Sequence, residues 1–176
     1  NSCEKCMWAG INLSGTSWQS QGNANSHPHQ GRVVLQNGAT LEHARTAISN
    51  WSLDDPAGQA TSGGIIHATG ANFINNGRSA EFIPYQNYGF GGIPISDGSF
   101  FRNCTFNITN DYKGLAVNYP FKHHVTMWDV SGVKFYGNTF KNEHTGNLRG
   151  LGDGIYSYNS GFNATRYPLN LSQSAN

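Results

Sequence analysis

Gly70-Ala71-Asn72-Phe73-Ile74-Asn75 is one of four segments in which a small or polar residue leads into a large apolar one and then into a polar stretch. The others are Gly38-Ala39-Thr40-Leu41-Glu42-His43, Asn103-Cys104-Thr105-Phe106-Asn107 and Gly137-Asn138-Thr139-Phe140-Lys141-Asn142. Their anchors Leu41, Phe73, Phe106 and Phe140 are 32, 33 and 34 residues apart. A second apolar cluster precedes three of the anchors: Val33 with Leu35, Ile65 with Ile66, and Val133 with Phe135. Each repeat therefore contains at least two short strands. Such strands cannot each bury an apolar face alone, but stacking them coil upon coil makes a continuous core. Gly and Asn suit the corners because they accept left-handed backbone at least cost. Helical periodicity is poor, and the best helical candidate, Leu41 to Ile48, follows the pattern of the neighbouring strand copy instead. An antiparallel β-sandwich would also use many short strands, but it requires no repeat. The spacing predicts an all-β, right-handed parallel β-helix (a solenoid) with the four anchors in one interior column.

A period near 33 exceeds what a bare coil needs, so each coil is expected to carry a long loop. Insertions at a constant phase would stack on one flank. The expected loops are 16–30, 51–62, 85–97, 110–124 and 143–153, and they hold Trp18, Trp51, Tyr85, Tyr88, Phe90, Tyr112, Tyr119 and Phe121. Planar rings with polar neighbours suit sugar faces. Trp18, Trp51, Tyr85, Tyr88, Tyr112 and Tyr119 are the candidate binding aromatics; in the alternative, these rings fold back over strand edges. Residues 1–10 and 167–176 are expected to cover the coil ends or to continue into further sequence, since open edges invite pairing.

Composition narrows the classes. A chain of 176 residues suits a single module with a real core, here residues 1–176, although only 37% of it is apolar. Charged residues make up 12%, the net charge is +1 and the Lys and Arg are scattered, which disfavours nucleic acid and anionic membranes as partners. No run approaches the roughly 18 apolar residues of a membrane helix, so no membrane insertion is expected. The chain opens at Asn1 without an initiator Met or an apolar signal region, as a processed or excised piece would. Three cysteines leave one unpaired; a Cys3–Cys6 disulfide would leave Cys104 free.

Candidate chemistry is sparse, and no catalytic or metal site is assigned. Asp54-Asp55 is the only adjacent acid pair, and as Asp-Asp-Pro it makes an ordinary loop turn. Arg45 and Arg78 lie one period apart and are expected to stack on one edge near Glu81, where Arg forks could grip a sugar carboxylate. The alternative is an ion pair with Glu81, or with Glu42 across coils. His43 and His67 read as structural. Cys3-x-x-Cys6 with His27 and His29 offers zinc-type donors, but His-x-His is shorter than finger spacing. Asp97, Asp111, Asp129 and Asp153 are too dispersed in sequence for a calcium site. No cofactor is expected. Six Asn-x-Ser/Thr sequons, at Asn12, Asn50, Asn103, Asn107, Asn163 and Asn170, are what an Asn-rich β-helix yields by chance, with Asn103 placed inside a strand.

The segments Gly31-Arg32-Val33-Val34-Leu35, Gly63-Gly64-Ile65-Ile66-His67-Ala68 and Phe73-Ile74-Asn75-Asn76-Gly77-Arg78-Ser79-Ala80-Glu81-Phe82 carry a resemblance. So does His124-Val125-Thr126-Met127-Trp128-Asp129-Val130-Ser131-Gly132-Val133-Lys134-Phe135. They resemble right-handed parallel β-helix repeat proteins of Bacteroidota, within the pectin-lyase-like superfamily. The resemblance implies a secreted or cell-surface address, type IX export, and a module belonging to a longer exported protein whose other segments are its partners. Hydrolases of the superfamily use Asp clusters with Gly-His-Gly and Arg-x-Lys elements, neither of which occurs here. Binding or adhesion to a polysaccharide or surface glycan is therefore expected, ahead of a structural stalk and of a polysaccharide lyase or glycosidase.

Overall fold

Each repeat folds as one coil of three short parallel strands, and the chain makes about four turns. The computed structural model describes residues 6–22, 29–52, 55, 60–149 and 152–165. Sheet A contains, in spatial order, β1 (Ile11–Asn12), β4 (Thr46–Ser49), β7 (Arg78–Phe82), β10 (His123–Trp128) and β13 (Asp153–Tyr158). Sheet B runs β2 (Arg32–Leu35), β5 (Ile65–Thr69), β8 (Phe100–Arg102), β11 (Ser131–Tyr136) and β14 (Gly161–Thr165). Sheet C runs β3 (Thr40–Glu42), β6 (Asn72–Ile74), β9 (Thr105–Ile108) and β12 (Thr139–Asn142).

The anchors form the expected column: Leu41 pairs with Phe73, Phe73 with Phe106, and Phe106 with Phe140. Ring centroids are 4.8 Å apart between Phe73 and Phe106 and 4.6 Å apart between Phe106 and Phe140, which is the strand spacing itself. Phe73 and Phe106 are fully buried, while Leu41 and Phe140, at the two ends, are partly covered. Sheet B contributes a column of Leu35, Ala68, Phe101 and Phe135, and sheet A one of Ile48, Ala80, Val125 and Ile155. Phe100 and Phe101 supply the apolar cluster of the third coil. The three strands of each coil satisfy the minimum of two read from the sequence and are separated by the corners from A to B, B to C and C to A.

The turn from sheet B to sheet C is a ladder of left-handed residues, Gly38, Gly70, Asn103 and Gly137, with φ of 78°, 61°, 51° and 59°. Asn103 thus occupies a corner between β8 and β9, not the strand interior expected for it; its short polar side chain tolerates the conformation. Beside this ladder and at the next corner, side-chain amides, that of Asn138 half-buried and that of Asn76 buried, clamp successive coils together. Asn138 Oδ1 accepts from the Cys104 N–H at 2.8 Å and its Nδ2 donates to the Phe101 carbonyl at 2.8 Å. Asn76 does the same between the Ala44 N–H and the Leu41 carbonyl, both at 2.8 Å. Asn138→Ala leaves one backbone donor and one acceptor unpaired and is expected to cost about 2 kcal/mol. Urea denaturation checks it, and an unchanged midpoint would show that the clamp carries nothing.

The long loops do not share one flank. In the first two full coils they lie at the corner from sheet A to sheet B, at 50–64 and 83–99, with 13–31 at the same corner before them. In the next two they lie at the corner from sheet C to sheet A, at 109–122 and 143–152, while the other corner narrows to two residues. The anchors stay about one period apart because each coil still carries one loop, so the switch of corner leaves no mark on the spacing. Sheet A consequently lies between the two loop-bearing corners.

Residues 6–10 lie against the first coil, with Trp8 N–H donating to the His43 carbonyl at 3.1 Å and Arg45 N–H to the Trp8 carbonyl at 2.8 Å. Residues 1–5 and 166–176, to which the rest of the end-covering expectation refers, lie outside the described residues. Cys6 is disulfide-bonded, Cys3 lies outside the described residues, and Cys104 is free and buried.

Candidate functional site

The outer face of sheet A gathers polar and aromatic side chains from four successive strands. Ser49, Glu81, Thr126 and Tyr156 are register partners across β4, β7, β10 and β13. Arg78 is ion-paired with Glu81 three residues on, both side chains being mostly covered. Trp128 packs between Tyr156 and Tyr158, at ring-centroid distances of 5.2 and 5.7 Å. His123 lies 4.8 Å from the Tyr156 ring and bonds the Asp153 carboxylate through Nδ1 at 2.9 Å. His123, Tyr156, Trp128 and Tyr158 thus form one run of ring contacts beside the Asp153 carboxylate, and the Arg78–Glu81 pair lies on the neighbouring strand β7.

The loop at 109–122 walls one side of this face. Tyr119, Pro120 and Lys122 enclose, with Gly77 and Arg78, a cleft of about 190 Å³. Gly77 is required there, since a Cβ would fall 2.4 Å from the Tyr119 ring and 2.8 Å from the Arg45 carbonyl. Tyr112 fixes the loop from beneath by donating its hydroxyl to the Tyr119 carbonyl at 2.7 Å. On the other side lies Trp51, half-buried. Buried polar atoms without partners among the described residues include Arg78 Nε and Thr126 Oγ1 on sheet A, and Asn50 Nδ2 and Trp51 Nε1 just after β4. His43 Nδ1 and Asn107 Oδ1 are the others.

The expected binding residues are therefore divided. Tyr119 and Arg78 line the cleft, and Glu81 is the ion-pair partner of Arg78. Arg45 does not stack on Arg78: Thr46 is the register partner of Arg78, and Arg45, outside the strand, is exposed. A slip of one residue moves a side chain to the other face of a strand, so the two Arg form no ladder. The ion pair of Arg78 with Glu81 is the alternative realised, within one strand rather than across coils. Tyr112 is buried under its loop and Tyr85 under the opposite corner, where its hydroxyl donates to the Gln19 carbonyl at 2.8 Å. Burial pushes both phenols well above their ordinary range. Trp18 and Tyr88 sit together at that same corner, joined by the Tyr88 hydroxyl donating to the Trp18 carbonyl at 2.7 Å. Trp128, Tyr156, Tyr158, His123 and Lys122 were missed; sheet A strands show no loop signature, and only the alternation Thr126-Met127-Trp128 hinted at an outward ring.

The acids singled out for chemistry are engaged separately. Asp55 closes its own loop, Oδ2 accepting from Ala60 N–H at 2.8 Å and from Thr61 N–H and Oγ1 at 3.1 Å each, as an ordinary turn would require. Asp54 and His27 lie outside the described residues. Asp97 is fully buried, bonded by Gln21 Nε2 at 2.8 Å and Ser99 N–H at 2.7 Å, and burial pushes its carboxyl up. Asp129 meets Asn159, and Asp153 meets His123. Among the described residues one group has metal-ligating donors close together: Glu42, His43 and Asp111, with His43 Nε2 at 3.3 and 3.4 Å from the two carboxylates. The Lys113 ammonium already sits on Asp111 and holds its carboxyl below the usual range. The arrangement works as an ion-paired corner.

No known protein family, curated protein or solved structure matches this chain.

Proposed function

We propose that the protein is a secreted or cell-surface module that binds a glycan along the outer face of sheet A, as the resemblance to β-helix repeat proteins of Bacteroidota suggests. The observation that carries this reading is the ring cluster of His123, Trp128, Tyr156 and Tyr158 on β10 and β13, next to the cleft of Arg78, Tyr119 and Lys122 with its Arg78–Glu81 ion pair. Aromatic faces cover the apolar side of a pyranose, and charged groups at their edges hydrogen-bond its hydroxyls. Strands held on a rigid stack keep such groups in place at little entropic cost on binding. The disulfide at Cys6 supports an oxidising, extracytoplasmic setting.

A glycan array followed by calorimetric titration tests the proposal. Trp128→Ala and Lys122→Ala are each expected to weaken binding by about 1 kcal/mol or more, roughly fivefold, without lowering Tm by more than a few degrees. Absence of binding to any polysaccharide, or unchanged affinity in both variants, would leave the structural stalk as the better reading.

A further inference from the structure

Away from sheet A, the loop at 83–99 carries a projection whose exposure nothing among the described residues accounts for. Phe90 is 101% exposed, Ile93 66% and Ile95 44%, and Trp18, joined to the same corner through Tyr88, is 64% exposed. The stretch 82–96 contains no Lys, Arg, Asp or Glu. The projection is nonetheless well fixed. Gly89 N–H donates to the Ile93 carbonyl at 2.8 Å, Gly92 N–H to the Gly89 carbonyl at 3.2 Å, and Ile95 N–H to the Asn87 carbonyl at 3.1 Å. Gly91 and Gly92, with φ of 71° and 75°, make the reversal at the tip. Its base is locked by a buried amide network: Asn87 Nδ2 donates to Gln21 Oε1 at 3.0 Å, and Asn87 Oδ1 accepts from Gln21 N–H at 3.0 Å and from Tyr88 N–H at 3.0 Å. Four exposed apolar side chains held together on an ordered, uncharged projection mark a contact surface.

We propose that this projection is a membrane-contact finger that inserts Phe90 and Ile93 shallowly into the interfacial zone of a lipid bilayer. The grading of its side chains favours lipid over a protein pocket. Purely apolar Phe90 and Ile93 occupy the tip, while the amphipathic rings of Trp18 and Tyr88 stand at its base, which is the order in which a bilayer interface takes up side chains. The finger is convex and uncharged, so it offers neither a concavity nor a charge pattern for a specific protein partner to read. Contact of this kind differs from spanning, and no described helix is long and apolar enough to cross a membrane. It also departs from the expectation of no membrane insertion, which rested on charge and run length; four exposed apolar side chains disturb neither.

Flotation of the whole chain with phosphatidylcholine vesicles, together with the Trp emission maximum, tests the finger. Measurable partition, indifferent to salt and to added anionic lipid, is expected, with a blue shift from Trp18. Phe90→Asp is expected to lower the partition coefficient at least tenfold and Ile93→Ser several-fold, with Tm unchanged because both side chains are exposed. The finger is overturned if the wild-type chain does not float, if Phe90→Asp floats equally well, or if flotation needs anionic lipid and disappears in salt. Retention of a protein partner through Phe90 by a chain that ignores vesicles would overturn it too. Glycan affinity should be the same in Phe90→Asp, so this proposal and the one for sheet A fail independently.

Discussion

Phe106→Ala is expected to destabilise the protein by about 3–5 kcal/mol, the range for truncating a buried Phe. Phe106 is fully buried and stacks on Phe73 on one side and Phe140 on the other, with Phe101 edge-on at 5.6 Å. The cavity cannot collapse easily, because the neighbouring coils are held at strand spacing by backbone hydrogen bonds above and below. At roughly 2–4 °C per kcal/mol for a chain of this size, Tm should fall by about ten degrees. Leu41→Ala, at the partly covered end of the same column, should cost distinctly less. Equal effects at the two positions would contradict the column.

Acidification is the second large expected effect. His124 is buried against Phe106, Phe121 and Phe140, with Nε2 3.2 Å from the Lys141 carbonyl. Burial lowers its pKa from 6.5 to about 4. The unfolded chain therefore takes up a proton before the native one does. The stability contributed by neutral His124 is fully present above pH 6.5 and is lost as pH falls toward 4, by about 3 kcal/mol in all. Asp97 acts in the opposite sense: its raised pKa contributes stability at low pH that is lost as pH rises above 3.8. The two overlap, so the contribution of His124 is read from the difference between wild type and His124→Phe. That difference should change by about 3 kcal/mol between pH 7 and pH 4 in urea melts; a difference independent of pH would contradict burial of the neutral ring.

The core was the legible part. The column Leu41, Phe73, Phe106 and Phe140 could be read because a stacked interior demands one large apolar residue per coil at a fixed phase, and that demand survives changes in loop length. The third strand of each coil was not legible: Thr46–Ser49 and Arg78–Phe82 follow the anchor strand after a three-residue corner that looks like a continuation of the same segment, while His123–Trp128 and Asp153–Tyr158 are separated from it by a long loop. The placement of loops was hidden for a related reason: a repeat length counts residues per coil but says nothing about which corner holds the excess. Arg45 and Arg78, 33 apart in sequence, misled by a single residue, because the register between β4 and β7 is 32. Loop aromatics carried no information about exposure. Tyr85 and Phe90 belong to one loop, yet Tyr85 is 3% exposed and Phe90 fully so, a difference set by the Gln19 carbonyl waiting for one hydroxyl and by nothing waiting for the other ring.

The binding face of sheet A depends on the parallel register that sets Glu81 beside Thr126 and Thr126 beside Tyr156. Cross-strand nuclear Overhauser contacts in solution measure that register directly. The structure predicts partners whose numbers rise together, Val125 with Ala80, Thr126 with Glu81 and Met127 with Phe82, and ring contacts from Phe106 to Phe73 and Phe140 but none from Leu41 to Phe140. Partners whose numbers fall as the other strand rises, the mark of antiparallel pairing, would contradict the β-helix and with it the binding face.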